Sequence, residues 1–213
     1  GLTHKADMES ESKAAVAGGV TTVMDMPNTI PATTGAKEIK EKLALARNRS
    51  SANIHFHIGA TNSNHSNLAQ IASQGCPEEG LKAEDIAGIK VFMGSSTGNM
   101  LVNDDESLKE LFSIKEKPIL VHCEDEDTIK RNLQAAKEKY GDDIPFEEHK
   151  NIRSRMACIK STIKALELAM KYQTRLVLCH ISTMEEVEMA RAAKLNNPEI
   201  IAETSCNYLW FSD

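Results

Sequence analysis

Residues 118–125 read Pro-Ile-Leu-Val-His-Cys-Glu-Asp, a short apolar run that ends in polar residues. Residues 128–140 follow this run with a helical pattern, and the same order of apolar run and helix recurs along the chain. Near-continuous apolar strands that alternate with helices are typical of a parallel sheet covered by helices. The repeated unit therefore predicts an α/β fold.

Six runs of apolar and β-branched residues predict strands, over residues 20–26, 54–59, 89–93, 119–122, 176–180 and 200–204. Helices are predicted over residues 36–48, 107–115, 128–140, 156–172 and 184–195. An open doubly wound sheet and a closed (β/α)8 barrel both fit this order. Because no GxGxxG or Walker loop follows a strand, the barrel is favoured. Six units are two fewer than a barrel contains, so the sequence predicts an incomplete TIM-type barrel.

The composition is that of an ordinary globular protein, with 213 residues, 41% hydrophobic and 26% charged. A net charge of −6 argues against a surface for nucleic acids or anionic membranes. No apolar run approaches the roughly 18–20 residues that span a bilayer. The five cysteines are widely spaced and form no CxxC motif, which is typical of reduced thiols. We therefore predict a cytoplasmic protein that binds neither nucleic acid nor membrane.

Polar residues cluster where the predicted strands end, which is where barrel enzymes place their chemistry. These residues are Asp25, Asn28, Lys90, His122, Glu124, His180 and Glu203. His122 and His180 each end an apolar strand and begin a polar loop. A single histidine in this position is more often structural, but barrel closure would direct both toward one point. Because imidazole is a common zinc ligand, the pair predicts a metal site.

Lys90 lies inside the apolar strand Gly-Ile-Lys-Val-Phe-Met of residues 88–93. A buried ammonium group loses several kcal/mol of hydration unless it is paired or neutralised. One interpretation is an ion pair with a carboxylate at the barrel mouth. The other is a neutral lysine that reacts with CO₂ to form a carbamate, whose two oxygens could bridge two metal ions.

His55 and His57 form a His-x-His pair of the kind that many metallohydrolases use. Strand alternation places both side chains on one face of the sheet. The pair precedes Ile58 and Gly59, however, and so lies in the middle of its strand. We interpret it as a pair that does not bind metal.

Several segments resemble dihydroorotases of the amidohydrolase superfamily. Residues 1–7, Gly-Leu-Thr-His-Lys-Ala-Asp, and residues 19–29, Gly-Val-Thr-Thr-Val-Met-Asp-Met-Pro-Asn-Thr, are similar to the first part of that family's barrel. The segments around Lys90, His122 and His180 look like its lysine and histidine strands, in family order. The resemblance covers essentially the whole chain.

The resemblance implies that residues 1–213 form one amidohydrolase barrel domain that contains strands two to seven. The His-x-His strand would precede residue 1, and the strand with the general-base aspartate would follow residue 213. Lys90 in its carboxylated form would bridge two Zn²⁺ ions, and His122 and His180 would complete the ligands from this region. Asn28 would bind the substrate carboxylate.

The implied activity is the reversible conversion of dihydroorotate and N-carbamoyl-aspartate, a step of pyrimidine biosynthesis. The partner would be this small-molecule substrate, and the family often forms homodimers. Three alternatives stay open at this point. They are an allantoinase- or hydantoinase-type cyclic amidase, an inactive dihydroorotase-like assembly partner, and a (β/α)8 enzyme without metal.

Overall fold

The sheet consists of six parallel strands in a computed structural model that describes residues 3–94 and 99–211. The strands are β1 (Thr22–Asp25), β2 (Asn53–Gly59), β3 (Ile86–Phe92), β4 (Ile119–His122), β5 (Leu176–Leu178) and β6 (Ile200–Ala202). They pair in chain order without a reversal. Because every crossover leads to the next strand in the same direction, the helices lie on one face, and the sheet curls into a half-barrel. All six predicted strands are confirmed.

Helices connect the strands and cover one face of the sheet. They are α1 (Met8–Ala17), α2 (Ala36–Ala46), α3 (His65–Gln74), α4 (Asp105–Ser113), α5 (Glu126–Tyr140), α6 (His149–Ile152), α7 (Arg155–Tyr172), α8 (Met184–Lys194) and α9 (Cys206–Trp210). Short 3₁₀ turns occupy Pro77–Glu79, Ala83–Asp85 and Phe146–Glu148. The five predicted helices end within two residues of the observed bounds. None of the helices in the described ranges is long and apolar enough to cross a membrane.

The helix-facing side of the sheet carries the hydrophobic core. Ile89, Val91 and Val121 lie on this side and are fully buried among helix side chains. Because side chains alternate along a strand, Lys90 and His122 project from the opposite, concave face. The fold thus separates the apolar core from the side of the sheet on which the predicted site residues lie.

Helix caps hold the ends of β4 and β5 close to the helices that follow. The Asp125 side chain accepts a hydrogen bond from Thr128 N at 3.0 Å and begins α5. Thr183 and Glu186 form a reciprocal capping box that begins α8. Each cap lies only three residues after a candidate histidine, so the connecting loops have little freedom.

Candidate active site

The two predicted histidines meet at the carboxyl ends of neighbouring strands. His122 ends β4, and His180 follows β5. Nδ1 of His122 lies 3.2 Å from Nε2 of His180, and the ring centroids are 5.0 Å apart. The structure therefore brings together two side chains that are 58 residues apart in the chain.

The backbone at His180 adopts a conformation that non-glycine residues seldom use. Its φ angle is +41°, in the left-handed region, which explains why β5 ends at Leu178 rather than at residue 180 as predicted. Hydrogen bonds on both sides hold the turn: Cys179 N donates to Val121 O at 3.1 Å, and Ile181 N donates to Glu203 O at 2.8 Å. Such strain is commonly found at functional sites.

Lys90 is buried on the concave face, with 2% of its surface exposed. Its Nζ lies 4.9 Å from the centroid of the Phe92 ring, and Phe92 is the register partner of His122. Within the described ranges, Nζ has no hydrogen-bond partner, so the expected ion pair with a carboxylate is not found there. Burial of an amino group without a hydrogen-bond partner costs free energy, so this position is unusual for a lysine whose only role is packing.

The Glu124 carboxylate is hydrogen-bonded to one of the two ring nitrogens of His122. Nε2 of His122 lies 2.8 Å from Glu124 Oε2. Arg153, in the loop between α6 and α7, donates two hydrogen bonds to the same carboxylate: Nε donates to Oε1 at 2.9 Å, and Nη2 donates to Oε2. Burial by itself would raise the pKa of Glu124, but the hydrogen bonds from His122 and Arg153 lower it to about 2. Glu124 is therefore an anion at neutral pH.

Burial disfavours charge on His180 and on the neighbouring Cys179. Burial lowers the pKa of His180, and the nearby His122 and Lys90 lower it further. Burial also raises the pKa of the adjacent Cys179 thiol to about 11, although Lys90 partly offsets this effect. His180 is thus kept in the neutral form that a metal ligand requires.

Three other strand-end residues do not join the histidine pair. Asp25 is paired instead with Lys42 of α2, at 2.5 Å between Oδ2 and Nζ. Glu203 is exposed after β6. Asn28 is exposed after β1, at the same end of the sheet but three strands from His122, which is about 14 Å along the sheet.

The His-x-His pair of β2 divides into one exposed and one buried side chain. His55 is exposed, whereas His57 is 2% exposed and its Nδ1 lacks a hydrogen-bond partner among the described residues. Burial lowers the pKa of His57 to about 4, and a hydrogen bond to the Gly88 backbone opposes this only in part. His57 is therefore neutral at physiological pH.

The buried His57 predicts a specific loss of stability in acid. Its pKa is about 4 in the folded state but about 6.5 when exposed, so the unfolded chain takes up the proton first. The stabilising effect is complete above pH 6.5 and is lost as the pH falls toward 4. The difference between the two pKa values corresponds to a loss of about 3 kcal/mol in the free energy of unfolding.

Denaturant unfolding between pH 4 and 7 tests this expectation. His57→Gln should flatten the pH dependence over this interval, because glutamine does not titrate. The matched control is His55→Gln, which changes the exposed histidine two residues earlier on the same strand. A His57→Gln variant that keeps the wild-type pH dependence would contradict the assignment.

The donor set fits a metal ion in part. Two nitrogen ligands of a tetrahedral zinc ion lie about 3.3 Å apart, from Zn–N distances of roughly 2.0–2.1 Å. The histidine nitrogens lie 3.2 Å apart, which matches this separation. Across residues 3–94 and 99–211, no group of three or more His, Cys, Asp or Glu side chains is arranged to hold a metal. A complete centre would therefore need ligands in addition to the histidine pair, such as a modified Lys90.

Arg153 was not predicted as a site residue from the sequence. It lies 29 residues after Glu124 and belongs to no strand end, so neither spacing nor periodicity relates the two. Glu124 appeared among the strand-end residues without a role. Only the tertiary fold shows that Arg153 and Glu124 act on His122 together.

Comparison with solved structures identifies the class of fold. L-hydantoinase from Arthrobacter aurescens aligns with a TM-score of 0.83 and 24% identity, over 97% of this chain and 44% of that chain. Dihydropyrimidinase from Brevibacillus agri aligns with a TM-score of 0.78 and 23% identity, over 97% of this chain and 43% of that chain. The half-barrel with its polar cluster at the strand ends therefore has the fold of these cyclic amidohydrolases.

Sequence comparison narrows the resemblance to dihydroorotases. The dihydroorotase of Methanosarcina acetivorans is 35% identical over 197 residues, and that of Methanosphaera stadtmanae is 32% identical over 199. Both alignments cover 91% of this chain but only 39% and 42% of those proteins. No family model matches the chain. The expected resemblance to dihydroorotases is confirmed, and the chain spans about two fifths of the length of these relatives.

Proposed function

We propose that this chain supplies much of the active site of a metal-dependent hydrolase that opens the ring of dihydroorotate to N-carbamoyl-aspartate and can close it again. The observation that carries the proposal is the convergence of His122 and His180 at 3.2 Å, together with the burial of Lys90, whose Nζ has no hydrogen-bond partner among the described residues. Similarity to dihydroorotases over nine tenths of the chain supports the choice of reaction.

The same similarity supports a finer description of the fold. We infer that β1 to β6 correspond to strands two to seven of a (β/α)8 barrel. By this count the lysine strand is the fourth, and the histidine strands are the fifth and sixth. The general-base aspartate would belong to strand eight, for which no residue within 1–213 is proposed.

Lys90, His122 and His180 would hold Zn²⁺, with two ions if Lys90 is carboxylated. When bound, zinc acts as a Lewis acid and lowers the pKa of water into the neutral range. Lys90 suits the modification because its Nζ is buried and has no hydrogen-bond partner in the described part of the chain. The carbamate would add the oxygen donors that the histidine pair lacks.

Within this proposal, the chain's own residues orient ligands and substrate. Burial keeps His180 in the neutral form, and the contact of Nε2 with Glu124 leaves Nδ1 of His122 facing His180. Asn28 would donate from its side-chain amide to the substrate carboxylate, a role that its exposure at the carboxyl end of the sheet permits. Such fixed donors favour one substrate orientation.

A related cyclic amide is the second candidate substrate. A probable allantoinase of Dictyostelium discoideum is 27% identical over 216 residues, which cover 98% of this chain and 42% of that protein. Allantoin and hydantoins share with dihydroorotate a cyclic amide that a hydrolase can open. Dihydroorotate carries a ring carboxylate, for which Asn28 would be a partner.

Substrate preference tests the proposal directly. The product of the gene that encodes this chain would be assayed with zinc on dihydroorotate, allantoin and hydantoin. We expect dihydroorotate to be hydrolysed with a clear preference, and Asn28→Ala to raise KM for dihydroorotate more than for hydantoin. Preference for allantoin or hydantoin would reassign the substrate, and bound zinc without any hydrolysis would favour the inactive assembly partner.

A further inference from the structure

The buried Glu124 carboxylate is hydrogen-bonded to two different side chains. Its two oxygens face three donor nitrogens, namely Nε and Nη2 of Arg153 and Nε2 of His122. Only 5% of Glu124 is exposed, so its charge depends on these partners. A bidentate arginine fixes the plane of a carboxylate as well as its charge. Glu124 is therefore a rigid acceptor for the ring of His122.

The loop that carries Arg153 is itself fixed. Nδ2 of Asn132, in α5, donates to Asn151 O at 3.0 Å and to Ile152 O at 3.1 Å. Asp125 N, next to Glu124, donates to Ala157 O at 2.9 Å and joins the end of β4 to the start of α7. The arginine and the carboxylate are thus held in place before any ligand binds.

The hydrogen bond to Glu124 also determines which nitrogen of His122 is free. When Nε2 carries the proton and donates to Glu124, Nδ1 has an available lone pair. Nδ1 is the atom that faces Nε2 of His180 at 3.2 Å. The carboxylate thus directs the ligand atom of His122 toward its neighbour, an arrangement that raises ligand basicity at metal sites.

We propose that Glu124 and Arg153 act as a positioning pair, which fixes the tautomer and the ring orientation of His122 so that Nδ1 can bind metal. This inference rests on the proposed function for the identity of the bound group. The tautomer itself is a property of the chain alone and can be measured without metal. Neither residue contacts the reacting atoms in this account.

The test compares Glu124→Gln with a matched exposed pair. Glutamine keeps the shape of Glu124 but offers one oxygen to three donors. We expect a 10- to 100-fold loss in zinc affinity, measured by competition with a chromophoric chelator, as is typical of such partners. We also expect imidazole ¹⁵N shifts of the metal-free protein to show a smaller population of the Nε2–H tautomer of His122.

The control pair is Arg155 and Glu185, which lie 2.7 Å apart on the surface. Arg155→Gln and Glu185→Gln should leave both measurements at wild-type values. Arg153→Lys keeps the charge but loses the fork, so it should weaken zinc binding less than Arg153→Gln. If Glu124→Gln does not fold, the comparison of Arg153→Lys with Arg153→Gln tests the positioning role instead.

The outcomes separate this inference from the proposed function. A folded Glu124→Gln variant with wild-type zinc affinity and His122 tautomer would overturn the positioning role, as would equal effects of the exposed control pair. Failure of the wild-type protein to bind zinc would refute the proposed function instead. In that case the tautomer measurement on metal-free protein still supports or overturns the positioning role.

Discussion

Lys90→Ala is expected to lower kcat/KM for dihydroorotate by at least roughly 1,000-fold, because metal catalysis contributes several kcal/mol and each 1.4 kcal/mol is a factor of ten. Alanine cannot form a carbamate, so the variant should also retain less zinc per folded chain. Removal of the Lys90 amino group should not by itself unfold the protein, since Nζ has no hydrogen-bond partner among the described residues. Zinc analysis and steady-state kinetics on the folded variant measure both effects.

Lys42→Ala is the matched control, because Lys42 is the other buried lysine of the described residues at 8% exposure. Its Nζ donates hydrogen bonds to the Asp25 carboxylate and, at 3.0 Å, to Met26 O. This variant should lose stability but keep its zinc. Recovery of Lys90→Ala activity by a short carboxylic acid would support the bridging role. Full zinc content and activity in Lys90→Ala would contradict it.

Gly94→Ala is expected to damage the site through the backbone. Gly94 follows β3, and a Cβ added there would lie 2.0 Å from the Glu124 carbonyl oxygen and 2.7 Å from its carbon. These atoms are backbone and cannot rotate away, so the end of β4 must shift. Overpacking of this kind costs about 1–3 kcal/mol. A shift of Glu124 should also reduce zinc affinity about 10- to 100-fold through His122.

Gly35→Ala provides the comparison, because its added Cβ would meet only the flexible end of Glu38, at 2.9 Å from Oε2. Thermal unfolding and chelator competition on both variants measure the two effects. Gly35→Ala should change stability only slightly and leave zinc affinity unchanged. Wild-type stability and zinc affinity in Gly94→Ala would show that the contact between the β3 and β4 ends does not constrain the site.

The strands and the residues that end them could be predicted from the sequence because both signals are local. An apolar run followed by His122 or His180 needs no tertiary information, and parallel pairing then places their ends together. The left-handed turn at His180 was not predicted, since the run from Leu176 gives no sign of it. This turn is held by hydrogen bonds to the neighbouring strands, and it lies where the His180 ring approaches the His122 ring.

Long-range polar contacts and the weakly amphipathic helix α1 could not be predicted. The pairing of Glu124 with Arg153 depends on where the loop before α7 returns to the sheet. In helix α1, which the structure describes in full, the only buried residue is the polar Ser12. Its sequence therefore lacks the periodic apolar stripe from which a helix is predicted.

The most direct test of the proposed metal-dependent hydrolase is the rate of dihydroorotate hydrolysis before chelation, after chelation and after zinc is restored. If Lys90, His122 and His180 hold a catalytic metal, activity should disappear with the chelator and return with Zn²⁺ in proportion to the metal bound. Hydrolysis that persists at the original rate in protein shown to be free of metal would contradict this account.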